Sequence, residues 1–187
     1  MATAKSRRST PLDHLPLQDK DTGELTVVIE TPKGSRAKYS YDGAAGALRL
    51  GAVLGEGLAF PCDFGFFPST LGEDGDPLDA LLFVDPPLPP ASIAAVRLIG
   101  VMEVKQRKGQ EPWERNDRFL AVATVDRAHR ETRTLADLRP RLLDELEAFL
   151  KHYTAFEGKE LQVVGRGGPG RARRLLEAGA RAFRRRR

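Results

Sequence analysis

The sequence predicts an α+β fold: a small antiparallel β-barrel followed by flanking C-terminal helices. Short β-branched or apolar segments, bounded by Gly, Pro and Asp, recur over the first two thirds of the chain. Between most of these segments there is no stretch with the apolar spacing of a helix. This favours a barrel or sandwich over alternating strands and helices. After Pro140 the apolar residues change to a spacing of about 3.6, the period of a helix with one buried face.

The predicted elements follow the chain in order. A flexible leader is expected over residues 1–20, and a single domain over 21–187. Residues 105–117 are expected to form a charged loop, because they combine Lys, Arg and Glu with Gly and Pro. One helix follows Pro140 and a second begins near Pro169. The strand candidates are 25–30, 36–42, 46–50, 79–84, 92–104, 119–125 and 159–165.

Composition narrows the class of protein. The 187 residues are 41% hydrophobic and 30% charged, typical of a water-soluble domain with a sizeable core. A single cysteine, Cys62, excludes an intrachain disulfide and a cysteine-based zinc site. No apolar run approaches the roughly 20 residues that cross a bilayer, and no apolar segment follows the basic N-terminus. We therefore expect a cytoplasmic protein without a membrane partner.

The net charge of +4 is unevenly distributed. Residues 165–187 contain nine Arg and one Glu, and residues 1–10 contain three basic residues, so residues 11–164 carry a net charge of −7. Arg-rich ends bind polyanions without sequence specificity. No aromatic residues alternate with the arginines, so nucleic-acid binding is expected to be non-specific at most.

Three carboxylates lie in one short turn, Asp74-Gly75-Asp76-Pro77-Leu78-Asp79, directly before an apolar strand. Gly75 permits an unusual φ and Pro77 fixes one, so the turn can direct several carboxylates to one place. Hard cations such as Mg²⁺ bind carboxylate oxygens and complete their shell with water and phosphate oxygens. A solvated acidic turn is the alternative interpretation of the same residues.

This hexapeptide resembles the signature of the soluble family I inorganic pyrophosphatases, Asp-Gly-Asp-Pro, an apolar residue, then Asp. Four further segments resemble the family in the same order and with nearly the same spacing, over roughly residues 22–184. They are the strand ending at Glu30 before Thr31-Pro32, Lys38-Tyr39, the segment from Phe60 to Phe66, and His152-Tyr153.

The resemblance implies a five-stranded, OB-like barrel and Mg²⁺-dependent hydrolysis of pyrophosphate to two phosphates. It places Asp74, Asp76 and Asp79 on metal-ligand positions and Asp76 on the position of the general base. It also implies a homo-oligomer. The residues that fall on substrate-binding positions are Glu30, Lys38, Arg118 and Tyr153.

The chain departs from the family pattern at several site positions. Fewer carboxylates and phosphate-binding cations remain, so three interpretations stay open: a slower pyrophosphatase, an enzyme for another phosphate compound, or a catalytically impaired protein that binds a phosphate compound or a partner. The departures are Ser40 for a glutamate, Ala52 for an arginine, Phe64 for a tyrosine, Gln106 and Asn116 for aspartates, and Arg118 and Thr154 for lysines.

Overall fold

A computed structural model describes residues 10–186. Within this range the chain forms nine strands and two α-helices. The strands are β1 (Leu25–Thr31), β2 (Ala37–Asp42), β3 (Ala47–Val53), β4 (Asp63–Phe67), β5 (Leu78–Phe83), β6 (Ile93–Lys108), β7 (Glu114–Arg115), β8 (Arg118–Ala123) and β9 (Lys159–Gly167). The helices are α1 (Leu142–Phe156) and α2 (Pro169–Arg186).

Five strands close into a ring in the order β1, β4, β5, β8 and β6, and β6 pairs with β1 to complete it. The predicted five-strand arrangement with two C-terminal helices is therefore confirmed. One pairing differs from the antiparallel prediction, because β5 and β8 run parallel. These two strands are not consecutive in the chain, because β6 lies between them in the sequence. Strand β6 runs antiparallel to β8, so the chain returns in β8 along the direction of β5.

Strand β6 is longer than predicted and continues through Lys108 into the expected charged loop. Its second half pairs with β9, and its end pairs with the two-residue strand β7. Backbone hydrogen bonds from both neighbours explain why this charged segment is extended. Side chains alternate along it, so Lys105 is exposed and Gln106 is buried.

Two apolar clusters stabilise the architecture. The first contains side chains from all five ring strands, including Val27, Leu82 and Phe119, and helix α2 covers it with Ala172 and Leu176. The second lies between α1 and the opposite face of β5, β6 and β8. Successive residues of one strand, such as those on β8, alternate between the clusters, as the two-residue period of a strand requires.

The predicted leader falls partly outside the described residues, and its mobility stays a prediction. Its described part contacts the domain. Residues Leu12–His14 form one 3₁₀ turn, where the Asp13 carbonyl accepts a hydrogen bond from the Ser69 amide at 2.7 Å. Leu17 packs against the first apolar cluster. Over residues 10–186, no helix is both long enough and apolar enough to cross a membrane.

Candidate active site

One cleft of about 620 Å³ contains every residue that the sequence predicted for the site. The residues come from separate elements: the end of β1, strand β2, the turn before β5, the first residues of β5 and β8, and helix α1. The fold therefore brings together positions up to about 120 residues apart in the sequence. The predicted residues lining the cleft are Glu30, Lys38, Asp74, Asp76, Asp79, Arg118 and Tyr153.

The acidic turn is held by its own backbone. The Gly72 amide donates to the Asp76 carbonyl at 2.7 Å, and the Asp76 amide donates to Asp74 Oδ1 at 3.2 Å. Gly75 has φ of 86°, a conformation that costs a residue with a Cβ atom considerably more. Helix α2 contacts the same turn, since Arg186 Nη1 donates to the Gly75 carbonyl at 3.3 Å. The turn is thus fixed from both sides.

The carboxylates of this segment differ in their partners. Asp79 forms an ion pair with Arg118, which lies directly opposite on the parallel strand β8. Neither Asp74 nor Asp76 forms an ion pair with any of residues 10–186. Burial raises the pKa of the Asp74 carboxyl. The hydrogen bond from the Asp76 amide and the charge of Arg118 oppose this shift, and the Asp76 carboxylate adds to it. Asp76 is exposed at the cleft surface.

Glu30 lies at the end of β1, facing the acidic turn. The backbone amide of Tyr41 donates to Glu30 Oε1 at 2.6 Å. Burial raises the pKa of Glu30 from 4.5 to about 7; the Tyr41 amide and Lys38 oppose this shift, and Asp76 adds to it. A carboxyl with such a pKa exchanges its proton near neutral pH.

The cationic side of the cleft is organised around Glu157, which follows helix α1. Its Oε1 atom accepts a hydrogen bond from Lys38 Nζ at 3.0 Å and another from the Tyr153 hydroxyl at 2.9 Å. Lys38 Nζ also lies 4.9 Å from the centre of the Tyr153 ring. Burial raises the pKa of the Glu157 carboxyl, but the Lys38 ammonium and the hydrogen bond from Tyr153 outweigh it, so the pKa lies below its ordinary value.

Most of the departures from the family pattern also lie in this cleft. Gln106 and Asn116 contribute neutral side chains where the pattern has aspartates. The exception is Ala52, which pairs with Lys38 across the β2–β3 hairpin and does not line the cleft. The lining residues among the departures are Ser40, Phe64, Gln106, Asn116, Arg118 and Thr154.

Sequence reasoning missed Glu157, Asp13 and Lys159, which all line the cleft. Glu157 lies four residues after Tyr153, the spacing that places two side chains on one helical face, so this signal was available. Asp13 was included in the predicted leader, and only the tertiary contacts of the 3₁₀ turn bring it to the cleft.

A hard cation fits part of this arrangement. Among residues 10–186, no group of three or more His, Cys, Asp or Glu side chains is arranged to hold a metal ion. Asp74 and Asp76 nevertheless provide carboxylates on one turn at the edge of the cleft. Mg²⁺ is commonly held by one or two carboxylates, with waters and substrate phosphates completing its shell. The donors present fit a cation of that kind.

Comparison with known proteins gives a consistent result. The family model described as inorganic pyrophosphatase matches residues 27–184. The chain is 38% identical to the inorganic pyrophosphatase of Methanosarcina acetivorans over 140 residues, covering 75% of this chain and 80% of that protein. It is 36% identical to that of Thermus thermophilus over 157 residues, covering 82% and 87%.

Solved structures agree in fold. The crystal structure of inorganic pyrophosphatase from Thermus thermophilus superposes with a TM-score of 0.85 at 31% identity, covering 94% of this chain and 99% of that one. The inorganic pyrophosphatase of Helicobacter pylori gives a TM-score of 0.81 at 30% identity, covering 91% and 99%. Because the family model and these relatives match most of its length, the chain belongs to the inorganic pyrophosphatase family.

Proposed function

We propose that this protein hydrolyses inorganic pyrophosphate to two phosphates and that Mg²⁺ supports the reaction. The observation that carries the proposal is the meeting of the Asp74–Asp79 turn with Lys38 and Tyr153 in one cleft. The carboxylates on one side of the cleft suit a divalent cation. The Lys38 ammonium and the Tyr153 hydroxyl on the other side suit phosphate oxygens. Named relatives and the family model support the same substrate.

The proposed roles divide along the cleft. Asp74 and Asp76 hold the cation, which when bound lowers the pKa of water and draws negative charge from phosphate oxygens. Asp76 accepts the proton of the attacking water, because it is an exposed carboxylate free of ion pairs with residues 10–186. Asp79 is the third predicted metal ligand, and its carboxylate is ion-paired with Arg118.

Lys38 and Tyr153 are proposed to bind substrate phosphate. Both currently contact Glu157, so binding requires a phosphate oxygen to compete with that carboxylate for the Lys38 ammonium and the Tyr153 hydroxyl. As the bond to the leaving phosphate breaks, negative charge develops there, and a fixed ammonium at that position stabilises it. Glu30 adds a proton-exchanging carboxyl beside the acidic turn.

A catalytically impaired protein that binds a phosphate compound or a partner is the second candidate. It is favoured by Gln106 and Asn116, neutral side chains that line the cleft at positions where the family pattern has aspartates. Loss of one group that stabilises a transition state lowers turnover by about 10²–10³-fold in comparable sites. The cleft and its phosphate-binding side are retained under this alternative.

Phosphate release by the purified chain separates the two candidates. The chain is incubated with pyrophosphate in EDTA, with Mg²⁺ and with Mn²⁺, beside the near-isosteric variant Asp76→Asn. Release that needs a divalent cation and is largely lost in the variant supports hydrolysis that depends on the Asp76 carboxylate. No release above background with either cation, together with calorimetric binding of pyrophosphate, supports the impaired protein instead.

The remaining expectations also stand as proposals. We infer a homo-oligomer, which the family resemblance supports, and a cytoplasmic location. Light scattering and cell fractionation test them. Non-specific binding of nucleic acid by the Arg-rich helix α2 would be seen as a strongly salt-dependent affinity.

A further inference from the structure

The ion pair between Arg118 and Asp79 is built into the β-ring. The two residues lie directly opposite each other in the parallel ladder of β5 and β8, so the register fixes their contact. Arg118 is 5% exposed, which is rare for an arginine. Arginine remains protonated in proteins even where burial lowers its pKa, as it does here. The cleft therefore contains a permanent, fixed positive charge.

The contacts of Arg118 resemble those of a bound cation. Its Nη1 atom contacts Asp79 Oδ2 and also donates to Asn116 Oδ1 at 2.5 Å. A carboxylate oxygen and an amide oxygen from different segments thus converge on one positively charged nitrogen. Carboxylate and side-chain amide oxygens are also typical ligands of divalent cations.

A second observation separates this arrangement from an ordinary surface ion pair. The Arg118 Nε atom is buried and has no hydrogen-bond partner among residues 10–186. A buried donor without a hydrogen-bond partner is unfavourable, because it has lost its bond to water and gained none in the protein. The guanidinium is therefore held where its hydrogen-bonding capacity is incompletely used, in contact with the oxygens of Asp79 and Asn116.

We propose that the Arg118 guanidinium takes the place of one divalent cation, so that Asp79 is withheld from metal binding and the metal is held by Asp74 and Asp76. The proposal rests on the proposed function for its meaning in catalysis, but not for its test. It accounts for the neutral Asn116, since a single positive charge on Arg118 needs fewer acids around it than a divalent cation does.

The exchange has a chemical consequence. A guanidinium supplies positive charge and hydrogen bonds to phosphate oxygens, but it has no exchangeable water ligand whose pKa it lowers. Arg118 can therefore replace a cation that balances charge, whereas activation of water stays with the carboxylates of the acidic turn. The protein should therefore bind one divalent cation fewer than it would if Asp79 were also a metal ligand.

The test counts Mn²⁺ ions bound per chain, by calorimetry and by the loss of the free-ion paramagnetic resonance signal, without substrate. Four proteins are compared: wild type, Asp79→Asn, Arg118→Gln and the double variant. Arg107→Gln is the control, because Arg107 lines the same cleft and loses the same charge without contacting Asp79.

We expect Asp79→Asn to leave the number of Mn²⁺ ions bound per chain unchanged. Arg118→Gln should gain about one ion per chain, or bind about tenfold more tightly, as an unpaired carboxylate becomes available. The double variant should lose that gain, and Arg107→Gln should not show it. A circular dichroism spectrum and melting curve establish that each variant is folded.

Two results would overturn the proposal. The loss of one bound Mn²⁺ ion per chain in Asp79→Asn would make Asp79 a metal ligand in the wild type. An unchanged count in a folded Arg118→Gln would show that the arginine does not compete with metal. If Arg118→Gln fails to fold, the Asp79→Asn result alone decides. Because metal counting needs no turnover, an inactive protein would contradict the proposed hydrolysis without affecting this outcome.

Discussion

Replacement of Glu30 by Gln should remove a large pH-dependent part of the stability of the metal-free protein. The pKa of the Glu30 carboxyl is raised from 4.5 to about 7 in the folded chain, chiefly by burial. The folded chain therefore holds this proton more tightly than the unfolded chain does. The stabilisation is complete below about pH 4.5 and is lost as the pH rises through about 7.

The magnitude follows from the displacement of the pKa. A change from 4.5 to about 7 corresponds to about 3 kcal/mol between the protonated and charged forms. Glutamine has nearly the same shape, and its side-chain carbonyl oxygen can accept the hydrogen bond that the Tyr41 amide donates to Glu30 at 2.6 Å. The variant therefore keeps this hydrogen bond. It has no proton to lose over this pH range.

Urea unfolding in EDTA at pH 4.5, 6 and 8 measures the effect. The difference in unfolding free energy between Glu30→Gln and wild type should move by about 3 kcal/mol in favour of the variant from the lowest to the highest pH. The exposed Glu111→Gln variant, with the same change of charge, serves as the control. Parallel pH profiles for wild type and Glu30→Gln would refute the reasoning.

Two further predictions concern packing and substrate binding. Gly65→Ala should lower the unfolding free energy by about 3 kcal/mol in urea, because the new Cβ atom would lie 1.9 Å from the Val28 carbonyl oxygen. Gly168→Ala, with nothing within 4 Å, is its control; equal losses in both would contradict the packing argument. Glu157→Gln should bind inorganic phosphate several-fold more tightly by calorimetry, since it removes the negative charge 3.0 Å from Lys38 Nζ. Weaker phosphate binding would show that Glu157 instead positions Lys38 for phosphate.

Local sequence pattern was sufficient for most elements. The apolar period after Pro140 predicted helix α1, and Pro169 coincides with the first residue of α2. The local pattern did not indicate which strands pair with each other. The parallel pairing of β5 with β8 depends on the intervening strand β6 running back in the opposite direction. A short stretch of sequence does not contain this information. The extension of β6 through Lys108 depends on β9, some 50 residues further on.

The site shows the same division. The Asp74–Asp79 segment could be singled out because its three carboxylates are close together in the sequence, and all three line the cleft. The state of each group was not identifiable. Asp74 and Asp79 belong to one hexapeptide, yet Asp79 is ion-paired and Asp74 is not, because only Asp79 lies in strand β5, opposite Arg118 of β8. Tertiary register, rather than the motif, sets which of these carboxylates is ion-paired.

The most direct test of the central claim is hydrolysis of pyrophosphate in water enriched in ¹⁸O, with Mg²⁺ present and the phosphate products analysed by mass. Attack by water places one labelled oxygen in one of the two phosphates formed from each pyrophosphate. We predict that label distribution for the wild type, with little product from Asp76→Asn. Absence of phosphate formation by the folded wild-type protein, or formation of phosphate without the label, would contradict the account.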